Sequence, residues 1–402
     1  MLDLHEMLDV AFGERTCDEV SRETPGRYGD ERLPAPVVVW NVCRRCNMSC
    51  PHCYAAAGEA PSRFALEPSE ALRVADELAE CGVRAVIFSG GEPLMRPDLL
   101  ELIDAVRAGG IPCHLSTNGT LLDHSTASAL ADAGIGYVGV SVDGGPGFND
   151  DYRGLADGFE RASRGVENAR EAGLRTGLRI TLTERNLDQL DAVREHARSL
   201  QVDRFYVSHL VDAGRGRAMA DVDLDREESR SVVRGLARRS LPWRRREGDP
   251  SVVTGGNDSD GPFLVGWLRR CFGTGPAERA LALLRRRGGN SAGVGLLNID
   301  ARGNVHPDQF WRECTLGNVR DLSVEELLEH PMRRVLATRT ERLRGRCGEC
   351  PFADVCGGSH RERALARNGG VWDSDPACLL RENDLAESIL EEEQEGQPCA
   401  SI

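Results

Sequence analysis

The sequence predicts an α/β fold in which a partial (β/α)6 barrel is followed by a C-terminal domain with its own cysteine group. Two observations lead to this prediction. Short apolar runs rich in β-branched residues alternate with longer amphipathic stretches between residues 36 and 210, which is the pattern of parallel strands joined by helices. Cysteines cluster directly after the first of these runs and again near the C-terminus. Chemistry is therefore expected at the carboxyl ends of the strands.

Six apolar runs are predicted to be the strands of the barrel. They are "PVVVWNV" (36–42), "AVIFS" (85–89), "PCHLS" (112–116), "YVGVSVD" (137–143), "GLRITLT" (177–183) and "RFYVSHL" (204–210). The amphipathic stretches between them, such as "SEALRVADELAECG" and "STASALADAG", are predicted helices that end at glycine, as helix C-termini prefer. Six such units make an incomplete barrel or a strongly curved open sheet.

Four segments are expected along the chain. They are an N-terminal extension (1–35), the core barrel (36–217), a helical connection and loop (218–286), and a C-terminal domain with an acidic tail (287–402). The arginine- and glutamate-rich stretch 218–250 predicts an exposed helical connection, and "TGGNDSDG" (254–261) predicts a turn-dense loop. The glycine-punctuated stretch 287–311 predicts a hairpin, and "EEEQEG" (391–396) a solvated terminus.

Composition narrows the range of partners and compartments. The 402 residues carry a net charge of −14, and all 50 basic residues are arginine, which speaks against nucleic acid as a partner. The N-terminus is acidic, and no apolar run approaches the length of a membrane span, so a cytoplasmic protein without membrane association is expected. In that reducing compartment the 14 cysteines predict metal ligands, reactive thiols or small buried residues rather than disulfides.

The first cysteine group follows the first predicted strand. Cys46, Cys50 and Cys53 are separated by three and then two residues, a spacing that lets one loop wrap three thiolates around a metal cluster. Three ligands leave the fourth iron of a 4Fe-4S cluster open to another molecule. A structural zinc site needs four ligands, and Cys43 is near enough in sequence to supply the fourth, so zinc remains an alternative here.

The segment "CNMSCPHCY" (46–54) resembles the cysteine signature of the radical S-adenosylmethionine (SAM) superfamily. Further stretches of the chain, "SGGEP" (89–93), "STNGT" (116–120) and "SVDG" (141–144), follow the second, third and fourth predicted strands, where this superfamily has its other motifs. The resemblance implies a radical SAM barrel with SAM bound to the open iron of a 4Fe-4S cluster, which yields a radical that removes a hydrogen atom from unactivated carbon. The residues implied in SAM binding are Tyr54, Gly90, Gly91, Glu92, Pro93, Ser116, Asn118, Ser141 and Asp143.

The second cysteine group is near the C-terminus. Its members are Cys347, Cys350, Cys356 and Cys378. Four thiols at this spacing can make a complete site for zinc or for a fully ligated 4Fe-4S cluster. The spacing resembles the SPASM extension of radical SAM enzymes, which implies an auxiliary 4Fe-4S cluster. At two positions where that extension usually has further cysteines, this chain has His360 and Asp308, so one auxiliary cluster is expected rather than two, although Cys271 and Cys314 leave a second one open.

Longer stretches point to one group within the superfamily. "RFYVSHLVDAGRGR", "VVTGGNDSDGPFLVGWLRR", "GGNSAGVGLLNIDARGNVHPDQFW" and "GRCGECPFADVCGG" resemble the siroheme-derived heme enzymes over residues 34–384. The resemblance implies removal of side-chain carboxyl groups from 12,18-didecarboxysiroheme to give Fe-coproporphyrin III. "RYG" (27–29) and "VSHLV" favour this branch over its counterpart in heme d1 synthesis, which removes propionates. The chain departs from the group at Cys43 and Asp212.

The resemblance also implies an iron tetrapyrrole as substrate and a low-potential electron donor such as ferredoxin or flavodoxin. His209 and His306 are then candidate ligands of the substrate iron, and Arg215 and Arg217 are candidates for binding substrate carboxylates. Two other functions remain open. One is a peptide-modifying radical SAM/SPASM enzyme, and the other, in a different class, is a zinc-stabilised scaffold without chemistry.

Overall fold

The structure is a computed structural model that describes residues 1–20, 33–60, 64–382 and 384. The "RYG" stretch (27–29) and the acidic stretch 391–396, for which the sequence makes predictions, lie outside the described residues. The described chain forms these strands: β1 (Leu2–Asp3), β2 (Val37–Cys43), β3 (Ala85–Gly90), β4 (Cys113–Thr117), β5 (Ile135–Ser141), β6 (Thr176–Leu182), β7 (Arg204–His209), β8 (Ser251–Gly255), β9 (Leu296–Ile299), β10 (Asn304–His306) and β11 (Gly317–Asn318).

Helices connect the strands and cover one face of the sheet. The α-helices in the described residues are α1 (Leu4–Phe12), α2 (Cys17–Val20), α3 (Pro68–Glu80), α4 (Leu99–Ala108), α5 (His124–Asp132), α6 (Pro146–Arg153), α7 (Gly158–Glu171), α8 (Leu190–Ser199), α9 (Arg226–Arg239), α10 (Asp260–Phe272), α11 (Thr274–Arg287), α12 (Val324–Leu328), α13 (Pro331–Ala337), α14 (Gly345–Gly348), α15 (Ala353–Cys356) and α16 (Arg361–Asn368). Short 3-10 helices occupy Pro93–Met95, Leu187–Gln189, Gly214–Val222, Pro242–Arg244 and Arg339–Arg342. No helix in the described part of the chain is long and apolar enough to cross a membrane.

The six predicted barrel strands are confirmed as β2 to β7, and each is parallel to the next along the chain. Their side chains alternate between two faces, as strand geometry requires. The outer face, which contacts the helices, carries fully buried apolar residues such as Trp40, Phe88, Leu178 and Phe205. Burial of each such side chain stabilises the fold by about 1.5–3 kcal/mol. The opposite, inner face therefore remains free for polar residues at the barrel mouth, which we define as the carboxyl ends of β2 to β8.

The sheet extends beyond these six strands on both sides. The strand order is β1-β8-β7-β6-β5-β4-β3-β2-β9-β10-β11, with β8 parallel to β7 and β1 antiparallel to β8. On the other side β9 is parallel to β2, and β9 and β10 form the hairpin predicted for 287–311. The sheet thus runs across the predicted boundaries at residues 35, 217 and 286, so the four-segment division stays a prediction.

Two details of the sequence interpretation need correction, and the N-terminal extension has structure that the sequence interpretation did not address. Residues 1–12 of the N-terminal extension form β1 and α1, and α1 is buried through Leu4, Met7 and Leu8. The predicted loop 254–261 begins inside a strand of the main sheet, β8. The predicted exposed connection 218–250 contains α9, which buries Val233 and Leu236. Charged residues dominate 218–250, and there they conceal the few apolar positions that pack on the core.

Candidate functional site

The inner face of the barrel is polar at its mouth. The inward-facing residues alternate along each strand with the apolar residues of the outer face, and the register between strands keeps them on one side of the sheet. They include Asn41, Ser89, Ser116, Ser141, Arg179, Tyr206 and Ser208. Glycines on neighbouring strands make room for the larger of these side chains. A Cβ atom at Gly139 would lie 2.4 Å from Nε of Arg179, and one at Gly255 would lie 2.0 Å from the hydroxyl of Tyr206. The sequence therefore produces a polar lumen, whose side chains can bind a ligand, whereas those of the outer face pack against the helices.

The cysteine loop, residues 44–57, leaves β2 at this mouth. Cys46 and Cys50 are buried, and Cys53 is half-buried. Burial raises the pKa of the Cys46 thiol to about 11, and the charges of Cys50 and Cys53 add to the rise, which shows that the three thiols are neighbours. Among the residues that the structure describes, no three Cys, His, Asp or Glu side chains converge closely enough to hold a metal ion. The three thiols thus lie beside one another without forming a closed cage.

The thiol of Cys43, which kept the zinc alternative open, is engaged elsewhere. Its Sγ donates to the backbone oxygen of Glu92 at 3.2 Å. Burial and the neighbouring Glu92 carboxylate raise the pKa of Cys43 to about 11, as burial does for Cys46, so it is the hydrogen bond from Sγ to the Glu92 oxygen that sets Cys43 apart. The donor set at the loop is then three thiols, and this set fits a 4Fe-4S cluster with an open iron better than a four-ligand zinc site.

The "GRGR" stretch, residues 214–217, braces the cysteine loop. Nε of Arg215 donates to the oxygen of Cys50 at 2.8 Å, its backbone N–H donates to the oxygen of Cys53 at 3.0 Å, and Nη1 donates to the oxygen of Ala57. A Cβ at Gly214 would lie 2.3 Å from the oxygen of Tyr54, so only glycine allows this approach. Arg215, a candidate for binding substrate carboxylates, therefore has most of its donors on the loop.

The other arginine of this stretch contacts the C-terminal region instead. Nη2 of Arg217 donates to the carboxylates of Glu313 and Glu362. Glu362 is buried, and burial together with Glu313 raises its pKa to about 8. Asp212, the departure in the same segment, is also neutralised, because Arg367 donates to both of its oxygens at 2.7 and 3.0 Å. Neither acidic side chain is free to meet a substrate.

A buried ion cluster lies beside the thiols. Arg153 donates to Oδ2 of Asp143 at 2.7 Å, and Nε2 of His52, a member of the cysteine loop, lies 3.2 Å from the same oxygen. Burial alone would raise the pKa of Asp143, but His52 and Arg153 lower it to about 2. Burial likewise opposes the charge of Arg153, whereas Cys50 and Asp143 raise its pKa. A buried cation next to thiols favours their deprotonated, metal-binding form.

The "GGEP" stretch approaches the cysteine loop through its backbone. The N–H of Gly91 donates to the oxygen of Cys43 at 2.8 Å, and that of Glu92 donates to the oxygen of Arg45 at 2.8 Å. A Cβ at Gly91 would lie 2.2 Å from the oxygen of Arg45, and one at Gly90 would lie 2.5 Å from that of Cys43. With these N–H groups engaged, the stretch meets a ligand through carbonyl oxygens, which suit an amino group. The oxygen of Glu92 already accepts from Sγ of Cys43 and from the N–H of Met95. Pro93 follows as the first residue of a 3-10 helix.

The Glu92 side chain joins two strand ends. It is fully buried, accepts from the Thr117 hydroxyl at 2.6 Å, and accepts from the Asn118 N–H at 2.7 Å. Asn118 in turn donates to Oδ1 of Asn47 at 2.8 Å and lies 3.8 Å from Sγ of Cys46. These contacts fix β4 against the cysteine loop. The carboxylate of Glu92 is therefore a structural acceptor, and Asn118 is the member of this pair that touches a thiol.

The remaining predicted SAM-binding residues lie on the inner face. The hydroxyl of Tyr54 lies 3.2 Å from Oδ1 of Asn41 and 3.1 Å from Oγ of Ser89. Ser116 accepts from Arg179 at 2.7 Å, and Ser141 is in register with Arg179 on the next strand. The structure thus brings the predicted residues from β2 to β5 to one side of the mouth, around the three thiols.

The second cysteine group is also assembled. Burial raises the pKa of Cys356, and the charges of Cys378, Cys347 and Cys350 each add to the rise, so the four thiols are neighbours. Gly289 allows the close approach of another segment, because a Cβ there would lie 2.3 Å from the carbonyl carbon of Cys356. Four neighbouring thiols suit a closed site, such as an auxiliary cluster or zinc.

His360 and Asp308, which stand where further cysteines are usual, are close to each other. Burial lowers the pKa of His360, and the charge of Asp308 acts in the opposite direction, so the two side chains are neighbours. The carboxylate of Asp308 already accepts from the N–H groups of Phe310 and Trp311 at 2.8 Å each. Cys314 is half-buried, and Asp308 helps burial to raise its pKa. Among the described residues, Cys314 is thus the thiol beside Asp308, whereas Cys271 is disulfide-bonded and offers no thiol.

The two candidate iron-binding histidines are placed differently from what the sequence suggests. His209 is paired with Leu182, which lies on the apolar outer face, and its Nε2 lies 3.0 Å from the buried carboxylate of Asp260. His306 is 3% exposed, and its Nδ1 lies 2.9 Å from the oxygen of Cys314. Each histidine is thus held by a structural partner. His209 lies on the outer face, whereas His306 is in register with Asn298 and, through it, with Val39, on the side of the sheet that Asn41 shares.

Sequence reasoning missed several residues of this site. Arg153 and His52 carry no motif of their own, and only the fold brings them to Asp143. Arg179 had a usable signal, because it occupies an inward position of a predicted strand whose alternate residues are apolar. Asn41 occupies an inward position of the first predicted strand in the same way. Arg312 lies outside every predicted strand, and its approach to Tyr54, with Cζ 6.0 Å from the ring centre, has no sequence signal.

Comparisons with known proteins agree with this geometry. The Radical SAM superfamily matches residues 40–197. The pre-heme d1 synthase of Dinoroseobacter shibae is 39% identical over 90% of this chain and 90% of its own length. The Fe-coproporphyrin III synthase of Methanosarcina barkeri is 38% identical over 94% of this chain and 98% of its own. A crystal structure of Streptococcus suis SuiB bound to S-adenosylmethionine shares the fold, with a TM-score of 0.65, 16% identity, and coverage of 87% and 78%.

Proposed function

The chain belongs to the radical SAM superfamily, and from this premise we propose that its substrate is an iron tetrapyrrole derived from siroheme. Members of this superfamily use SAM with a 4Fe-4S cluster, so the protein is a radical SAM enzyme. This excludes the alternative of a zinc-stabilised scaffold without chemistry. The proposed reaction removes side-chain carboxyl groups from 12,18-didecarboxysiroheme and leads to Fe-coproporphyrin III. It is a step of heme biosynthesis.

One observation carries the proposal. The similarity to two tetrapyrrole enzymes runs along nearly the whole chain, far beyond residues 40–197, which the superfamily as a whole matches. The additional part includes β8, the β9–β10 hairpin and the second cysteine group. These elements surround the barrel mouth and hold the second thiol site, where substrate-specific contacts are expected in a barrel enzyme.

Under this proposal, the two cysteine groups are the ligands of two separate clusters. Cys46, Cys50 and Cys53 are the proposed ligands of the cluster that binds SAM, and the "GGEP" carbonyls, Asn118 and the inner-face serines Ser116 and Ser141 are the proposed SAM contacts. The second group supplies a 4Fe-4S auxiliary cluster. Its proposed ligands are Cys347, Cys350, Cys356 and Cys378.

When bound, the cluster and SAM supply a strong abstractor of hydrogen atoms. The chain's own residues hold the reactants in place and exclude water. Arg215 and Gly214 fix the carbonyls of the cysteine loop, so the three thiols keep one arrangement. Arg153 and Asp143 provide a fixed ion pair under the loop in place of mobile water. The outer face seals the barrel with apolar side chains.

Removal of propionates, as in heme d1 synthesis, is the second candidate. The similarity to the pre-heme d1 synthase is as high as that to the Fe-coproporphyrin III synthase. The two candidates share the tetrapyrrole, the clusters and the first hydrogen abstraction. They differ in which side chain is placed next to the radical source.

The clusters also bear on the cellular compartment in which the reaction is proposed to occur. The thiols of both groups are reduced in the described structure, and thiolate clusters persist in a reducing compartment. We therefore place the enzyme in the cytoplasm, with a low-potential donor such as ferredoxin or flavodoxin as the electron source.

An anaerobic assay tests the proposal. Reconstituted protein is mixed with SAM, a strong reductant and 12,18-didecarboxysiroheme, and the products are identified by mass spectrometry. Stepwise loss of two carboxyl-bearing acetate groups, whether as carbon dioxide or as whole side chains, is expected. Loss of propionates would transfer the protein to the heme d1 branch. SAM cleavage with the tetrapyrrole unchanged would contradict the proposed substrate and favour a peptide or another molecule.

A further inference from the structure

Three polar side chains near the barrel mouth have donors without acceptors. Nδ2 of Asn41 is buried and makes no hydrogen bond, although the residue is only 2% exposed. Nε of Arg312 is buried without a partner in the same way. Arg179 has one hydrogen bond, from Nη1 to Ser116, and its other donors have no partner among the described residues. Buried donors left without acceptors are costly, so a missing acceptor is expected here.

The three side chains surround one residue, Tyr54. Its hydroxyl is 3.2 Å from Oδ1 of Asn41, and Cζ of Arg312 is 6.0 Å from its ring centre. Burial raises the pKa of Tyr54, and the charges of both Arg312 and Arg179 oppose this rise, which places both guanidinium groups near the hydroxyl. Asn41 comes from β2, Arg179 from β6 and Arg312 from the segment after β10, so the group spans the mouth.

Neither arginine has an acidic neighbour. In the part of the chain that the structure describes, Arg179 and Arg312 have no carboxylate within 4.0 Å, whereas Arg153, Arg217 and Arg367 at the same end of the barrel are all paired. A half-buried guanidinium is stabilised by a counter-charge. Two unpaired cations and an unpaired amide N–H form a site that lacks an anion, and a carboxylate fits the fork of a guanidinium through two parallel hydrogen bonds.

The space for Arg179 is built into the neighbouring strand. On β5, Gly139 lies two residues before Ser141, the register partner of Arg179, and a Cβ at Gly139 would lie 2.4 Å from Nε of Arg179. On the other side its Cζ lies 5.9 Å from the ring centre of Tyr206, which adds a cation–π contact. The guanidinium is therefore held in the lumen with part of its donor edge uncovered.

We propose that Asn41, Arg179 and Arg312 form a receptor for a carboxylate side chain of the substrate. This inference rests on the proposed function, since a tetrapyrrole with acetate and propionate groups supplies the carboxylates. The receptor lies beside Ser116 and Tyr54, among the proposed SAM contacts. It holds the carboxylate-bearing carbon at the mouth, where hydrogen abstraction takes place. SAM itself has a carboxylate, so the test must separate these two sources of the same chemical group.

Binding measurements on Arg179→Gln provide the test. The control is Arg204→Gln, because Arg204 has the same inward parity on β7 but lies at the opposite end of the barrel, over the ring of Tyr137. 12,18-Didecarboxysiroheme, the proposed substrate, and its fully methylated ester are titrated into each protein without reductant, and binding is followed by the change in the Soret band. In parallel, SAM binding is measured from its effect on the EPR signal of the reduced cluster.

Arg179→Gln is expected to weaken binding of the free acid by about 10- to 100-fold, the loss of a charge-assisted hydrogen-bonded pair. Binding of the ester, SAM binding, and all properties of Arg204→Gln are expected to match the wild type. Asn41→Asp, which places a negative charge in the receptor, is expected to weaken binding of the acid alone.

Three results would overturn the inference. If Arg179→Gln loses SAM binding and keeps the tetrapyrrole, the receptor belongs to SAM. If it binds acid and ester as the wild type does, the carboxylate lies elsewhere, although the proposed function stands. If the wild type binds neither tetrapyrrole, the inference falls together with the proposed function.

Discussion

The two cysteine groups differ in how the rest of the molecule holds them. The first lies on a loop that receives contacts from the ends of β3, β4 and β5 and from residues 214–217, with the buried pair Asp143 and Arg153 beside it. The second is held by its own segment, as in the hydrogen bond from the N–H of Cys347 to Ser374 at 3.1 Å, and by residues 257–290, since the N–H of Asn290 donates to the oxygen of Cys356 at 3.2 Å and Nδ2 of Asn257 donates to that of Ala377 at 2.7 Å. The cation beside it, Arg346, lies 3.9 Å from Sγ of Cys378. The two groups also differ in the number of thiols.

A site with three thiols has to bind and release another molecule, so its position must be fixed by neighbours rather than by a complete ligand set. A site with four thiols can be organised by its metal alone. The comparison therefore assigns SAM chemistry to the first group and a closed cluster to the second. Each of the following predictions would break this assignment or make it more exact.

The largest effect is expected from Cys350→Ala. This variant removes one ligand of the second group and leaves the three thiols of the cysteine loop unchanged. Turnover of the tetrapyrrole is expected to fall at least 100-fold, as it does when a group acts as a unit, while SAM cleavage continues. Product formation and 5′-deoxyadenosine are measured in the same anaerobic reaction. Unchanged turnover would remove the second group from the reaction.

Gly91→Ala tests the bracing of the cysteine loop. Its Cβ would lie 2.2 Å from the oxygen of Arg45, so the loop has to move. The variant is expected to lose about four iron atoms per chain after reconstitution, one cluster's worth, and to cleave SAM at least tenfold more slowly. Gly235→Ala on α9 is the control, because a Cβ there meets nothing within 4 Å. It is expected to keep its iron and to gain up to about 1 kcal/mol of stability.

Full iron content and normal SAM cleavage in Gly91→Ala would show that the loop is not held by the "GGEP" backbone. The corresponding change in the second region is Gly289→Ala, which crowds Cys356. It is expected to reduce turnover while SAM cleavage persists, the same separation that is expected for Cys350→Ala.

The smallest effect concerns pH. Burial and Glu313 raise the pKa of Glu362 to about 8, so the native protein binds a proton that the unfolded chain, with a Glu pKa near 4.3, has already lost. The unfolding free energy then decreases as pH rises from about 4.5 to 8. In Glu362→Gln this decrease should be smaller, which raises the melting temperature relative to the wild type by about 1–4 °C at pH 8.5 but not at pH 5.

Melting curves at the two pH values check the Glu362 prediction, with Glu160→Gln, an exposed carboxylate on α7, as the control. An identical pH dependence in wild type and Glu362→Gln would show that Glu362 is ionised in the native state.

The sequence specified the barrel well, because its strands have strong alternation. All six predicted strands are present, and the "SGGEP", "STNGT" and "SVDG" stretches do follow strand ends. β8 and β1 were missed because each adds a short run to a sheet that was already complete in the prediction. The same alternation of apolar and polar residues predicts that Asn41 and Arg179 point to the inner face.

Roles that depend on backbone contacts were not predictable from residue type. Arg215 was expected to meet a substrate carboxylate, yet it donates to carbonyls of the cysteine loop. Asp212 departs from the pattern of the related group, and its carboxylate is paired with Arg367, 155 positions away in the chain. His209 ends a strand at the mouth, but register places it on the outer face. Long-range partners of this kind require the fold.

The most direct test of the account uses EPR spectroscopy of two variants. One, Cys347→Ser with Cys350→Ser, keeps the first group, and the other, Cys46→Ser with Cys50→Ser, keeps the second. Each is reconstituted and reduced, and the spectrum is recorded with and without SAM. The account predicts that SAM changes the signal in the first variant and leaves it unchanged in the second. A SAM-dependent change in the variant that lacks Cys46 and Cys50 would contradict it.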